Sequence, residues 1–203
     1  ASWTNSDLFV VEADESDSTH LQLPLMGAIL TNVDIDHLDN FQTFDAIRES
    51  FREFISKVNG PRVLCVDDAF CAEIAQQLVS ITYSASVGNS KTQRLVDADF
   101  VASEISFNNG AAQFTVSQNI DTQTVRLGIV NIQLRGIHNV RNALGALVMA
   151  ISLGASFAQA ATALAKFGGV ARRFDNHGTH RGITYVDDYA HLPTEINAVL
   201  RAA

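Results

Sequence analysis

Carboxylates gather at three points of the sequence. Glu12, Asp14 and Glu15 follow the apolar run LFVV; Asp34, Asp36, His37 and Asp39 follow AILTNV; Asp187, Asp188, Tyr189 and His191 follow GITYV. Carboxylate oxygens suit hard cations, and magnesium takes one or two carboxylates together with substrate phosphates, so Glu12 or Asp14 can hold it. An imidazole among carboxylates suits metal ligation or acid-base work. Each cluster also has a plainer reading, as a solvated acidic turn or as residues that cap chain ends. Repetition of one arrangement at three strand ends favours a shared site, because the carboxyl edge of an open α/β sheet is where ligands sit.

GIHNVRNALGA opens an Ala-rich helix with Asn139 and Asn142 three apart, so both amides fall in or before the first turn. Asn139 there is an N-cap, or the two amides face one side and read the donor and acceptor edge of a purine. Arg172 and Arg173 follow a Gly-Gly break, where guanidinium groups either clamp phosphate oxygens or lie on the surface as a solvated pair.

Positioning such groups is the task of the elements between them. In the first half, runs rich in Val, Ile and Phe alternate with helical patterns: LFVVEA, GAILTNV, Phe41 to Val58, RVLCVDD and Ala69 to Leu78. That rhythm predicts an α/β fold with a mostly parallel central sheet flanked by helices. Between 97 and 132 the stretches DFVASEISF, AAQFTVSQ and TVRLGIV, separated by NNG and NID, predict a small antiparallel β meander. Helices follow at Val140 to Leu153 and Phe157 to Phe167, then the Gly168-Gly169 break, the strand GITYVDD and a helix opening near Pro193. The break predicts a boundary between a first domain at 1–170, which holds the meander, and the start of a second at 171–203. The sequence opens almost directly on a strand and stops within a helix, so it reads as an excised piece of a longer protein.

Composition narrows the field. With 203 residues, 47% of them apolar and 18% charged, the chain can bury a core, which sets aside disordered and low-complexity classes. A formal net charge of −8 removes the attraction to a phosphate backbone, so no nucleic-acid partner is expected. Cys65 and Cys71 show no CxxC or Cys/His metal spacing, and a reducing cytoplasm is expected. No secretory signal is visible at the amino end. The apolar stretch 142–166 approaches membrane-spanning length, yet Ala, Ser, Gln and Thr dilute it and Gly154 followed by Ser156 predicts a helix stop and a new N-cap. Two packed core helices are therefore expected, not a membrane span.

Taken together, EADESD, TNVDIDHLD, GIHNVRNALGA, FGGVARRF and VDDYAHLPTEI resemble the Mur ligase family, occur in the family's order and cover essentially the whole chain. The resemblance implies the family's central, P-loop NTPase-like domain. It also implies a role in peptidoglycan precursor synthesis as an ATP-dependent amide-forming ligase. Within the family, EADESD, DDYAH-PTE and the separation of 25 between Glu12 and His37 look most like members that add L-alanine to UDP-N-acetylmuramic acid. Carried over by position, the resemblance implies that Glu12 and His37 hold Mg2+, that Asn139 and Asn142 contact ATP, and that Arg173 and Asp188 complete the ATP site. Tyr189 and His191 would lie near the amino acid or the carboxylate being activated. Murein tripeptide and folylpolyglutamate ligases share the central fold; the serine of EADESD, where the tripeptide ligase carries an aromatic, argues against the former. Leu192 stands where the family usually has a second histidine, and Arg52 stands near the place of a carbamylated lysine in some members. No GxxxxGK[ST] occurs in this sequence. The family places that phosphate-cradling loop a few dozen residues before EADES, so this piece alone is expected to be inactive, a weak nucleotide binder or an interaction module.

Overall fold

The computed structural model describes residues 7–36, 38–85 and 98–203. β1 (Ala28–Leu30), β2 (Arg62–Cys65), β3 (Ile81–Ala85) and β4 (Phe100–Asn108) pair in parallel in that order. β5 (Ala111–Ile120) and β6 (Gln123–Ile132) then extend the same sheet antiparallel. The meander is thus the second half of one six-stranded sheet, joined to the parallel half where Tyr83 pairs with Phe100.

α1 (Leu38–Phe41), α2 (Phe44–Ser56) and α3 (Ala69–Gln77) lie in the crossovers between parallel strands. A strand order that steps only one way places right-handed crossovers on one face. There Ile47, Phe54, Ile55, Phe70 and Ile74 pack with Leu30 and Leu64. α4 (Ile137–Ser152) and α5 (Phe157–Lys166) cover the other face, where Val140, Leu144, Leu147 and Val148 meet Val63, Tyr83, Phe114 and Val130. Successive residues of β2 alternate between the two clusters and all three of Val63, Leu64 and Cys65 are buried, as a parallel strand covered on both sides requires.

Local signals start and stop these helices. Thr43 Oγ1 accepts from the Ala46 N–H at 3.2 Å, and Asp68 Oδ1 accepts from Phe70 and Cys71 N–H at 3.0 and 2.9 Å. Gly154, at φ +98°, ends α4 in a conformation that a side chain would oppose, and Ser156 with Gln159 forms a capping box for α5. The apolar stretch 142–166 is therefore two helices. No helix among the described residues is long and apolar enough to cross a membrane.

Three expectations need correction. LFVVEA forms no strand: residues 8–15 are irregular, with Phe9 and Val10 79% and 91% exposed. An apolar run becomes a strand only against a neighbour that completes its ladder, and among the described residues β1 pairs with β2 alone. β3 was not foreseen, because ITYSA carries Thr and Ser and follows α3 closely; partners distant in sequence, Asp99 and Asp67, satisfy those hydroxyls. The strand GITYVDD does form, as β8 (Ile183–Asp187), but it pairs with an unforeseen β7 (Asp175–His180) as a separate hairpin. α6 (Pro193–Ala202) follows, with Pro193 in its first turn. None of the residues 171–203 is buried.

Candidate functional site

α4 begins one residue after Gly136, so Asn139 is the third residue of the helix and not its N-cap. Its Nδ2 donates to the Arg135 carbonyl at 2.8 Å and lies 3.1 Å from His138 Nε2. The amide nitrogen is thereby used within the chain, which leaves the amide oxygen for an incoming donor. Asn142 falls in the second turn, not the first, and is exposed. The shift arises because the helix starts three residues before Val140, where the buried apolar stripe begins. Three residues apart, the two amides still share one side.

Asp188 sits just beyond β8 and accepts from the Phe174 N–H at 2.7 Å and the Ala190 N–H at 2.8 Å. Half-buried His138 lies within electrostatic reach of it. Burial pushes the imidazole below its ordinary range, Asp188 opposes that shift, and Arg141 and Arg173 add to it. Asn139 thus touches His138, whose Nδ1 is buried with no hydrogen-bond partner, while Asp188 and Arg173 act on the imidazole through their charge. Arg172 and Arg173 flank the exposed Tyr189 ring, with guanidinium carbons 5.0 and 5.7 Å from its centroid. His138 was not among the residues expected from sequence; its one signal was adjacency to Asn139.

The second and third acidic clusters also meet. His191 Nε2 is 3.3 Å from Asp36 Oδ2 and its Nδ1 is 3.2 Å from the Tyr189 carbonyl. The Tyr189 carbonyl and then Asp36 raise the His191 pKa above its ordinary value. The Thr194 hydroxyl donates to Asp34, and Glu195 accepts from the His191 and Leu192 N–H groups at 3.0 and 3.2 Å. Segment 189–195 thus bridges to the loop that leaves β1.

Glu12 is exposed on the irregular stretch that precedes β1, and His37 lies outside the described residues. Among the described residues, no group of three or more His, Cys, Asp or Glu is arranged to hold a metal ion. An exposed carboxylate such as Glu12 still fits magnesium, which takes few protein ligands and completes its shell with phosphate and water. Arg52 belongs to the framework: it pairs with Glu73 at 2.9 Å and Glu49 at 2.5 Å and stacks over Phe70 at 5.3 Å.

A sheet buried on both faces, parallel in its first half, with amides and carboxylates at the carboxyl ends of its parallel strands, defines an α/β protein of the open-sheet class. The chain belongs to the Mur ligase family, whose middle domain matches residues 2–150. Over 98% of its length it is 42% identical to the UDP-N-acetylmuramate–L-alanine ligase of Bartonella bacilliformis, and over 97% it is 39% identical to that of Desulfotalea psychrophila. It spans about 42% and 41% of those curated relatives. Among solved structures, the UDP-N-acetylmuramate–alanine ligase of Thermotoga maritima superposes with a TM-score of 0.73 at 26% identity, over 94% of this chain and 40% of that one. The murein peptide ligase of Psychrobacter arcticus gives 0.61 at 29% identity, over 90% of this chain and 35% of that one.

Proposed function

We propose that this chain is the nucleotide-handling part of an ATP-dependent ligase that joins L-alanine to UDP-N-acetylmuramic acid in peptidoglycan precursor synthesis, and so serves cell-wall growth and division. The observation that carries this reading is the start of α4, where Asn139 contacts His138 and the charges of Asp188 and Arg173 reach the same imidazole. Relatives bearing the L-alanine ligase name at 42% and 40% identity support it over the murein tripeptide and folylpolyglutamate ligases.

In this reading a muramyl carboxylate oxygen takes the γ-phosphoryl group as the bond to ADP breaks, giving an acyl phosphate. The L-alanine amine attacks the acyl carbon and loses a proton, and phosphate departs with the C–O bonding pair, leaving an amide. Asn139 presents its amide oxygen to the exocyclic amine of adenine, and Asn142 presents its exposed amide to the same base. Arg173 faces the charge spread over the phosphoryl oxygens. Asp188 holds the Phe174 and Ala190 amides and thereby the strand end that carries Tyr189. Tyr189 and His191 flank the amino acid or the activated carboxylate. Glu12 and His37 are the residues that would hold Mg2+, which supplies positive charge against the phosphate oxygens when bound. We read the Gly168-Gly169 break as the junction of an ATP-binding domain at 1–170 with a second domain beginning at 171. The cytoplasm is the compartment proposed, consistent with the free, buried Cys65 and Cys71.

Phosphate release measured for the complete ligase and for this 203-residue chain tests the reading. The complete ligase should release phosphate only with both UDP-N-acetylmuramic acid and L-alanine, and the chain, without a GxxxxGK[ST] loop, should fall far below it. Turnover by the chain within about tenfold of the ligase, a barrier difference of only ~1.4 kcal/mol, would defeat the role assigned to that loop. Release stimulated by murein tripeptide and not by L-alanine would favour the tripeptide ligase.

A further inference from the structure

We propose that Asp67 is a positioning residue for the nucleotide side of this site, an inference that rests on the ligase reading above. Asp67 follows β2, and its side chain is 12% exposed. Its Oδ1 accepts from the Ser84 hydroxyl at 2.5 Å; its Oδ2 accepts from the Ala85 N–H at 2.9 Å and from Arg141 Nε at 2.7 Å. One carboxylate thus ties the carboxyl ends of two parallel strands to the second turn of α4.

Arg141 lies between Asn139 and Asn142, and its charge reaches His138. The apolar contacts of Val140, Leu144 and Leu147 hold α4 against the sheet but carry little directional information. A charge-assisted hydrogen bond is directional and short, so the Asp67–Arg141 pair sets how the helix is turned and where the two amides point. Stability alone gives a weak account of the arrangement. Withdrawing a carboxylate from water is costly, and a well-packed apolar residue at such a place is often as stable or more so.

Asp67→Asn in the complete ligase preserves size and one acceptor oxygen while removing the charge. KM for ATP should rise about tenfold, equivalent to ~1.4 kcal/mol, with KM for L-alanine unchanged. Arg141→Gln should give the same split, and the double variant should be no worse than either single one, because both remove one interaction. Arg141→Lys keeps the charge pair but loses the Nε geometry, and supplies the same readout if Asp67→Asn does not fold. KM for ATP within twofold of wild type in a folded variant, or an equal rise in both KM values, overturns the positioning role and leaves the ligase reading standing. A wild-type ligase that neither binds nor consumes ATP defeats the ligase reading, and this inference with it.

Discussion

The sheet with its covering helices, residues 28–166, and the segment 171–203 are built from the same kinds of element but held in different ways. Both contain an antiparallel hairpin and a helix with a recognisable start. Val130 and Leu144 in the first are fully buried, whereas Ile183, Tyr185 and Leu200 in the second are 59%, 51% and 70% exposed. Local signals suffice to form a hairpin and a helix, but they do not make a core. The second region is located by a few directional contacts: Thr194 with Asp34, His191 with Asp36, and the Arg135 guanidinium 4.4 Å above the Phe174 ring. The candidate site lies where the two regions meet. One carries the two amides on a packed helix, and the other carries Arg173, Asp188 and Tyr189 on a segment whose contacts cost little to open.

Truncation of matched leucines is the strongest challenge to this contrast. Leu144→Ala should cost about 2–5 kcal/mol in urea unfolding, because it leaves a cavity between α4 and the sheet. Leu200→Ala should stay within about 0.5 kcal/mol. Equal losses would mean that the second region has a core after all.

Backbone approach sharpens the picture of the first region. A Cβ at Gly145 would lie 2.7 Å from the Tyr83 hydroxyl and 3.2 Å from Ile29 Cγ2. Tyr83 is fully buried and cannot swing aside, so Gly145→Ala should destabilise by about 1–3 kcal/mol, read as a lowered unfolding midpoint at unchanged slope.

Helix starts should respond less, and differently on the two sides. Asp68→Ala removes the cap of α3 and should cost about 1 kcal/mol of global stability. Glu195→Ala frees the His191 and Leu192 amides, so hydrogen exchange should speed up in the first turn of α6 with the global midpoint unmoved. A shift of that midpoint comparable to the Asp68→Ala effect would contradict the independence of the two regions.

Two histidines give the smallest effect and opposite signs. His20 is buried between the Phe51 and Phe54 rings, with Nε2 3.1 Å from Ser50 Oγ, and burial lowers its pKa. Its contribution to stability is therefore present above the unfolded value of about 6.5 and is lost as pH falls through the lowered value. The exposed His191 is raised by the Tyr189 carbonyl and by Asp36, so its contribution is present below about 6.5 and is lost as pH rises through the raised value. NMR titration of the imidazole Cε1 protons should place the His20 midpoint below that of His191, and Asp36→Asn should lower the latter. A reversed order would refute the assigned environments.

Much of the architecture was legible because its signals are local. The Gly154 stop, the Ser156 start and the turns of the meander depend on the conformations of neighbouring residues, and each appears where the sequence places it. The ordered motifs that mark the Mur ligase family are legible for a related reason: each is a short run whose residue types stand together in sequence. LFVVEA shows the limit, since an apolar run carries no information about whether a neighbouring strand is there to pair with it.

The sequence by itself determined which segments become helices and most strands, and which polar residues stand at their ends. Only the tertiary structure decided which of those residues meet. Asp67 reaches Arg141 across 74 positions, and Asp34 meets Thr194 across 160. The physical reason is that a hydrogen bond between distant residues depends on where the folded backbones carry them. Residue type and spacing set only what each partner can donate or accept.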